Sequence, residues 1–268
     1  MSEETETVAE YSDRDIIQSI EKGLAILRSF SAESPTFTLV EMARHVDQNR
    51  ASVRRMLLTL QTLGYVASDG KNYRLTPKVL DLGYSHVSSA GLAGIVTPHL
   101  ERLNERIQEA CSAGTLSEGE LVYVARAQSR RLITAVTGVG ARLPALATAM
   151  GRVLLAGLDD ETVRRHIQRH QVTPYTHFTI TDPTALLEEI QTVRLQGYAI
   201  ADQELEVGFR AASVPVRSAS GGWGMAINIG MHGSRVSVEQ ARDELVPQLR
   251  ETASAIEREL AMHPMPFT

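Results

Sequence analysis

Residues 49–76 read "NRASVRRMLLTLQTLGYVASDGKNYRLT". Three arginines, Arg50, Arg54 and Arg55, crowd the head of a segment whose apolar residues Ala51, Val53, Met56, Leu57, Leu60 and Leu63 recur at helical spacing. Cations in the first turns oppose the helix dipole, whose positive end lies there, so they call for an anion from outside the helix. After Gly64 the pattern changes to alternation, and Asp69-Gly70 predicts a two-residue hairpin.

Working outward from that stretch, "DQN" at 47–49 is a tight break. Before it, "TLVEMARHV" carries Thr38 as an N-cap with Glu41 three residues on, the reciprocal capping-box arrangement, so a second helix starts there. A short helix, a three-residue turn and a longer helix have helix-turn-helix spacing, with Ala43 small where two crossing helices need close approach. Upstream again, Ile17, Ile20, Leu24, Leu27 and Phe30 predict a first helix with that face inward, and Pro35 sits in the loop that follows. Three helices and a hairpin over 16–76 make a winged helix. The Arg-rich helix would lie second in the helix-turn-helix, with Arg50, Ser52, Arg54, Arg55 and Thr59 outward; Asn49 precedes it, and Lys71, Tyr73 and Arg74 stand on the wing.

Charge supports that placement. The 268 residues carry a net charge of -5, distributed as -5 over residues 1–15, +4 over 16–80 and -4 over 81–268. A basic compact segment inside an acidic protein is the footprint of a module that holds a polyanion, and phosphates reward each contact through counterion release. An ordinary solvated face is the alternative for an isolated basic helix. Its position in this motif and the basic wing favour double-stranded DNA, with Asn49, Arg50, Ser52, Arg54, Arg55, Lys71 and Arg74 as the expected contacts. The acidic leader 1–15 predicts a disordered tail. With no long apolar run and no secretory signal, a cytoplasmic protein is expected. The single cysteine, Cys111, reads as a plain buried thiol.

Downstream, the pattern from Pro77 to Gln108 is helical, interrupted by "SSAGLAG" and Pro98: a linker helix region over 77–97, then the first helix of a second domain spanning 98–262, with 263–268 a short tail. Within that domain alternation predicts strands near 112–117, 121–127, 131–137, 198–202, 211–217 and 223–231. Helical spacing predicts 149–157, 159–169, 183–196 and a last helix from Ser237 to about Met262. Hairpins mixed with helices argue for an α+β class, an antiparallel sheet flanked by helices.

Three segments of this domain offer site chemistry. In "LPALATAMGRVLLAGL", Thr148 is an N-cap and Ala149, Met150 and Gly151 open a helix whose free N–H groups can hold a carboxylate, or merely pack. In "WGMAINIGM", Trp223, Met225, Ile227, Ile229 and Met231 share one strand face, leaving Gly224, Ala226, Asn228 and Gly230 on the other; "RAASVPVR" offers Ala211 and Ser213. "DQELEVGFR" holds Asp202, Glu204, Glu206 and Arg210. Paired carboxylates suit acid-base catalysis, yet no nucleophile or phosphate loop accompanies them, so no catalytic residue, cofactor or metal is expected. His166 and His170 have metal-ligand spacing but lack a third ligand and read as part of a solvated helix.

Taken together, "SIEKGLAILRSF", "TLVEMARHV" with "NRASVRRMLLTLQTLGYV", "LPALATAMGRVLLAGL", "GYAIADQELEVGFRAASVPV" and "INIGMHGSRVS" resemble the IclR family of bacterial transcription regulators, from about Ile16 to Leu260. Within the family the wording is most like the regulators of protocatechuate and 4-hydroxybenzoate breakdown. The resemblance implies a winged helix-turn-helix, a linker helix used in dimerisation and a GAF-like effector-binding domain, in dimers that often pair into tetramers. It implies that the segment around Thr148 to Gly151 and the strand and loop around 202–213 line the effector site. For an aromatic acid, the carboxylate is then assigned to the helix terminus or Arg210, and a ring hydroxyl to Asp202, Glu204, Ser213 or Asn228. The expected function is a ligand-responsive regulator of a catabolic operon, binding a pseudo-palindromic operator. The alternative is a small-molecule enzyme with an appended winged helix. One departure stands out: the turn between the two helices commonly carries Gly in the family, and here it is Asp47-Gln48-Asn49.

Overall fold

The computed structural model describes residues 17–31, 34–79, 82, 92–127, 138–170, 172–218 and 221–262. The expected leader 1–15, strand 131–137, tail 263–268 and much of the linker region 77–97 lie outside them. The chain divides into two compact units, Met1–His86 and Val87–Thr268.

In the first unit, α1 (Gln18–Arg28), α2 (Leu39–His45) and α3 (Arg50–Thr62) pack with a three-stranded antiparallel sheet of β1 (Thr36–Thr38), β2 (Val66–Ser68) and β3 (Asn72–Leu75), in the order β1-β3-β2. This is a winged helix. The core is Ile26, Phe37, Met42, Ala43, Val53, Leu57, Leu60 and Val66. Both halves of the capping box at Thr38 and Glu41 are made, which fixes the start of α2. The turn after it carries Asp47 at φ 48°, the left-handed conformation that Gly adopts most easily and Asp tolerates. The wing turn centres on Gly70 and Lys71, one residue later than Asp69-Gly70. Asp69 Oδ1 accepts from the Lys71 and Asn72 amides at 2.9 and 2.7 Å, bonds that hold its carboxyl below the usual range.

One expectation fails in α1. Ile26 faces the core with Leu27 and Phe30 packed beside it, whereas Ile17, Ile20 and Leu24 are exposed at 63%, 58% and 51%. The apolar stripe is wider than the core it meets. The surplus residues Ile20 and Leu24, with Leu63 and Leu82, line a groove of about 760 Å³ between α1 and α3.

The second unit is built on a six-stranded antiparallel sheet, in the order β6-β5-β4-β9-β8-β7, of β4 (Ala110–Ser117), β5 (Glu120–Ala127), β6 (Arg142–Pro144), β7 (Ala199–Asp202), β8 (Phe209–Val216) and β9 (Met225–His232). Period-two alternation assigns its faces. Ile227, Ile229 and Met231 of β9 pack with Ala212 and Val214 of β8 against α4 (Leu92–Ile107) and α9 (Val246–Met262). Ala226 and Ala211 turn to the opposite face, where α5 (Ala149–Ala156), α6 (Asp160–Arg169) and α7 (Pro183–Gln196) lie. Trp223 precedes β9 and packs with this second cluster, not with Met225. A bulge between Ala113 and Gly114 lets β5 place Leu121 and Tyr123 toward α5 but Ala125 and Ala127 toward α4.

Helix α4 runs through Pro98, where the sequence suggests a break. The last helix begins at a Ser237–Gln240 capping box as α8 (Val238–Gln240), passes through a π-helical turn at Ala241–Leu245 and continues as α9. Cys111 is fully buried, and burial pushes its thiol up to about 12, so it stays protonated. Among the described residues no helix is long and apolar enough to cross a membrane.

Candidate functional site

In the first unit, α3 opens on Asn49, whose Oδ1 accepts from the Ser52 amide at 2.8 Å. That residue is the helix cap, a role that occupies its side-chain oxygen. Arg50, Arg54 and Arg55 are all exposed in the first turns, and no acid is present there to balance them. Arg50 and Arg54 share one stripe of the helix, four residues apart. Ser52 and Arg55 line the groove beside α1. Lys71 and Arg74 are exposed on the wing. This unit therefore presents a cation-rich helix head and two further cations on its hairpin, suited to a phosphate backbone and to base edges.

In the second unit, cross-strand register builds a polar row on the face toward α5. Arg126 of β5 pairs with Ser112 of β4, Ser112 with Asn228 of β9, and Asn228 with Ser213 of β8. Directly opposed residues share a face, so these four side chains form one line across four strands. Asn228 is 6% exposed, and its Oδ1 is buried with no hydrogen-bond partner. Ser213 is fully buried and donates to the Ile227 carbonyl at 2.8 Å, leaving its oxygen able to accept. The Arg126 guanidinium lies 5.7 Å from the centre of the Tyr123 ring. Burial raises the pKa of the Tyr123 hydroxyl, partly offset by that cation. Ala211, Ala226 and Gly230 flank the row on the same face.

Helix α5 contributes its first turn. Thr148 Oγ1 accepts from the Gly151 amide at 3.2 Å and lies 3.1 Å from the Pro144 carbonyl, to which it donates. A Cβ at Gly151 would meet the Ala145 carbonyl oxygen at 2.1 Å, so the glycine is there to let the preceding 3-10 turn (Ala145–Ala147) fold onto the helix. Thr148 and Gly151 are thus committed to local structure, whereas the Ala149 and Met150 amides have no acceptor among the described residues.

Three expected members do not join this group. Arg210 is opposed to Asp202 and Met231, which puts both charged side chains on the α4 face, away from Ser213 and Asn228. There Arg210 bonds Asp202 at 2.8 Å and the Val236 carbonyl. The reason is the two-residue period of β8: a side chain adjacent to Ala211 must point the other way. Glu204 lies beyond β7 and is taken by Arg152 of α5, in a bidentate pair at 2.6 and 2.5 Å with side-chain exposures of 6% and 1%. Arg152, Arg126, Ser112 and Tyr123 are the residues that sequence reasoning missed. Arg152 had a signal: an arginine inside the apolar run "AMGRVLLAGL" needs a buried partner.

The histidine pair of α6 is only partly solvated. His166 and His170 are half-buried with ring centres 4.6 Å apart, and burial, helped by His170, pushes the His166 pKa down to about 4. Among the described residues no cluster of three metal-binding side chains occurs.

Comparison with known proteins accounts for both halves. Residues 19–70 match the IclR helix-turn-helix domain and residues 84–258 the bacterial transcriptional regulator IclR C-terminal domain. The Pca regulon regulatory protein of Pseudomonas putida is 40% identical over 238 residues, 88% of this chain and 82% of that one. The crystal structure of a transcriptional regulator from Rhodococcus sp. RHA1 is 43% identical, with a TM-score of 0.83 over 92% of this chain and all of that one. A double mutant of the PobR inducer binding domain from Acinetobacter, solved as a 3-hydroxybenzoic acid complex, is 34% identical, with a TM-score of 0.59 over 63% of this chain and 98% of that domain. A winged helix with a cationic recognition helix, joined in one chain to a matching C-terminal domain, is a DNA-binding transcriptional regulator, and the chain belongs to the IclR family.

Proposed function

We propose that the second unit senses a hydroxylated aromatic acid and that its occupancy changes operator binding by the first unit. The observation that carries this reading is the Asn228 carbonyl oxygen, buried without a donor at the middle of a polar row. A buried acceptor left unpaired costs about 1–3 kcal/mol, which a ligand hydroxyl recovers on binding. A phenol supplies that donor. A ring carboxylate is then met by the Ala149 and Met150 amides or by Arg126, in place of Arg210. Relatives support the class: the double mutant of the Acinetobacter PobR inducer binding domain was solved as a complex with 3-hydroxybenzoic acid, and the Pseudomonas protein is a Pca regulon regulatory protein.

On the DNA side, Arg50 and Arg54 are assigned to bases or phosphates of the major groove, with Ser52 and Arg55 beside them and Lys71 and Arg74 on the backbone. The exposed apolar residues Ile17, Ile20 and Leu24 of α1 are covered by a second copy of the chain, giving a dimer that reads a pseudo-palindromic operator in the cytoplasm. Such dimers can pair into tetramers. Effector and operator are then coupled by linkage, typically by about 1–3 kcal/mol and equally in both directions, with no turnover of the ligand.

Thermal-shift and calorimetric titrations test the sensing half with 3-hydroxybenzoate, 4-hydroxybenzoate, protocatechuate and benzoate. Saturable stabilisation is expected from hydroxylated acids, with benzoate weaker by roughly 10–100-fold. Asn228→Leu should remove that discrimination. No saturable binding of any aromatic acid rejects the reading.

A further inference from the structure

We propose that the Arg152–Glu204 pair is a positioning device that sets the first turn of α5, and with it the Ala149 and Met150 amides, against the loop that follows β7. The ligand role of those amides rests on the reading above; the positioning does not.

The geometry joins four segments. Arg152 uses all three sides of its guanidinium: Nε donates to the Leu146 carbonyl at 2.9 Å, and the two terminal nitrogens donate to Glu204 Oε1 and Oε2 at 2.6 and 2.5 Å. Glu204 Oε2 also accepts from the Ile180 amide at 3.2 Å, and the Glu204 carbonyl accepts from the Thr179 hydroxyl at 2.6 Å. One residue earlier, the Gln203 carbonyl accepts from Thr176 at 2.7 Å. The pair thus ties the 3-10 turn before α5, the first turn of α5, the segment 176–180 and the loop at 203–204 into one fixed group.

Stability alone does not explain such an arrangement. Desolvating two charges offsets most of their attraction, and well-packed apolar residues of similar size often do as well or better. What apolar residues lack is direction. A planar fork bound to two oxygens on one side and a carbonyl on the other accepts one orientation, and that orientation fixes the backbone at position 152. Position 152 is one turn from the cap, and its amide donates to the Thr148 carbonyl at 3.0 Å, the first bond of α5. The free amides at 149 and 150 lie between the cap and this anchor.

The test is residue-resolved amide hydrogen exchange on the full chain, comparing the parent with Arg152→Met/Glu204→Leu. The double variant is expected to keep its melting temperature within a few degrees, while the amides at 151 and 152 exchange about 10-fold faster and those at Ile227 and Ile229 are unchanged. Arg152→Lys, which keeps the charge but loses the fork, should recover part of the protection. If the double variant does not fold, Glu204→Gln carries the same measurement with the same expected change. Unchanged protection at 151 and 152 in a folded variant overturns the proposal. A parallel 4-hydroxybenzoate titration separates the two readings: faster exchange with affinity lost by about 10-fold or more supports both. Faster exchange with unchanged affinity upholds the positioning role and takes the ligand off this turn.

Discussion

In the first unit Arg50, Arg54 and Arg55 stand exposed at a helix head, and none of the ion pairs found among the described residues includes them. In the second unit Arg152 and Arg210 are sunk into the fold, each against a carboxylate. The same side chain thus answers to opposite conditions. An exposed guanidinium near a helix N-terminus suffers a modest dipole penalty and stays available to an outside anion. A buried one cannot shed its proton and needs its counter-ion built in. His166 completes the contrast: half-buried with another histidine beside it, it is held neutral at physiological pH.

The largest effect expected from this comparison is on stability. Arg152→Met alone strands the Glu204 carboxylate and should cost about 3–5 kcal/mol, read as a fall in denaturation midpoint. Arg210→Met should cost less, because Asp202 is 37% exposed and water can take over its solvation. Equal losses from the two would break the argument that burial of the partner sets the cost. Next comes Arg54→Ala, for which operator affinity should fall by about 1–3 kcal/mol if the residue reads a base. If it contacts a phosphate instead, the salt slope should drop by about 0.9. Stability should change by no more than about 0.5 kcal/mol either way. A variant that unfolds would place Arg54 in the fold and not on the DNA.

Legibility followed the same division. The first unit could be read almost residue by residue because its signals are local: a capping box, a three-residue turn, a helical stripe and a Gly-containing hairpin each act within a few positions. The failures there are the wing turn, which sits one residue later than Asp69-Gly70, and the exposed face of α1, because a stripe says that residues seek apolar company without saying what supplies it. In the second unit alternation located β4, β5, β7, β8 and β9, and it paired Asn228 with Ala226 on one face. The same alternation separates Arg210 from Ala211, since neighbours on a strand cannot share a pocket. The polar row was harder to see. Ser112 and Arg126 reach Asn228 only through cross-strand register, and the bulge at Ala113/Gly114 moves Arg126 onto the α5 face against simple counting. Nothing local separates Glu204 from Asp202 and Glu206 as the buried acid, and its partner lies 52 residues away.

His166 gives a smaller, pH-dependent effect that sharpens the contrast between a cation with a partner and one without. Its pKa falls from 6.5 to about 4 on folding, chiefly through burial. Between those values the unfolded chain binds the extra proton and the folded one does not, so stability is full above about pH 6.5 and declines as pH falls toward 4. Partial exposure reduces the effect to on the order of 1–2 kcal/mol. His166→Leu should be flatter over pH 4–6.5 in denaturant melts than the parent. Identical slopes would mean that His166 is solvated after all.

The smallest effect belongs to Asp47, the left-handed residue in the turn between α2 and α3. The Gln48 amide donates to the Ala43 carbonyl at 2.9 Å and the Asp47 amide to the Arg44 carbonyl at 3.3 Å, the Schellman pattern that closes a helix through a left-handed residue. Asp at that position bears part of the left-handed penalty and sets a negative charge against the negative end of α2. Asp47→Gly removes both, offset in part by the greater freedom of glycine in the unfolded chain, for a net gain of about 0.5–1 kcal/mol. Asp47→Val should lose about 1–2 kcal/mol, because a β-branched residue fits this backbone poorly. Operator affinity in Asp47→Gly should equal the parent's, since the turn already has the glycine geometry and α3 starts from its own cap at Asn49. A stabilised variant with weakened operator binding would show that Asp47 acts beyond the turn it closes, and would extend the functional surface of the first unit from α3 back into the helix that precedes it.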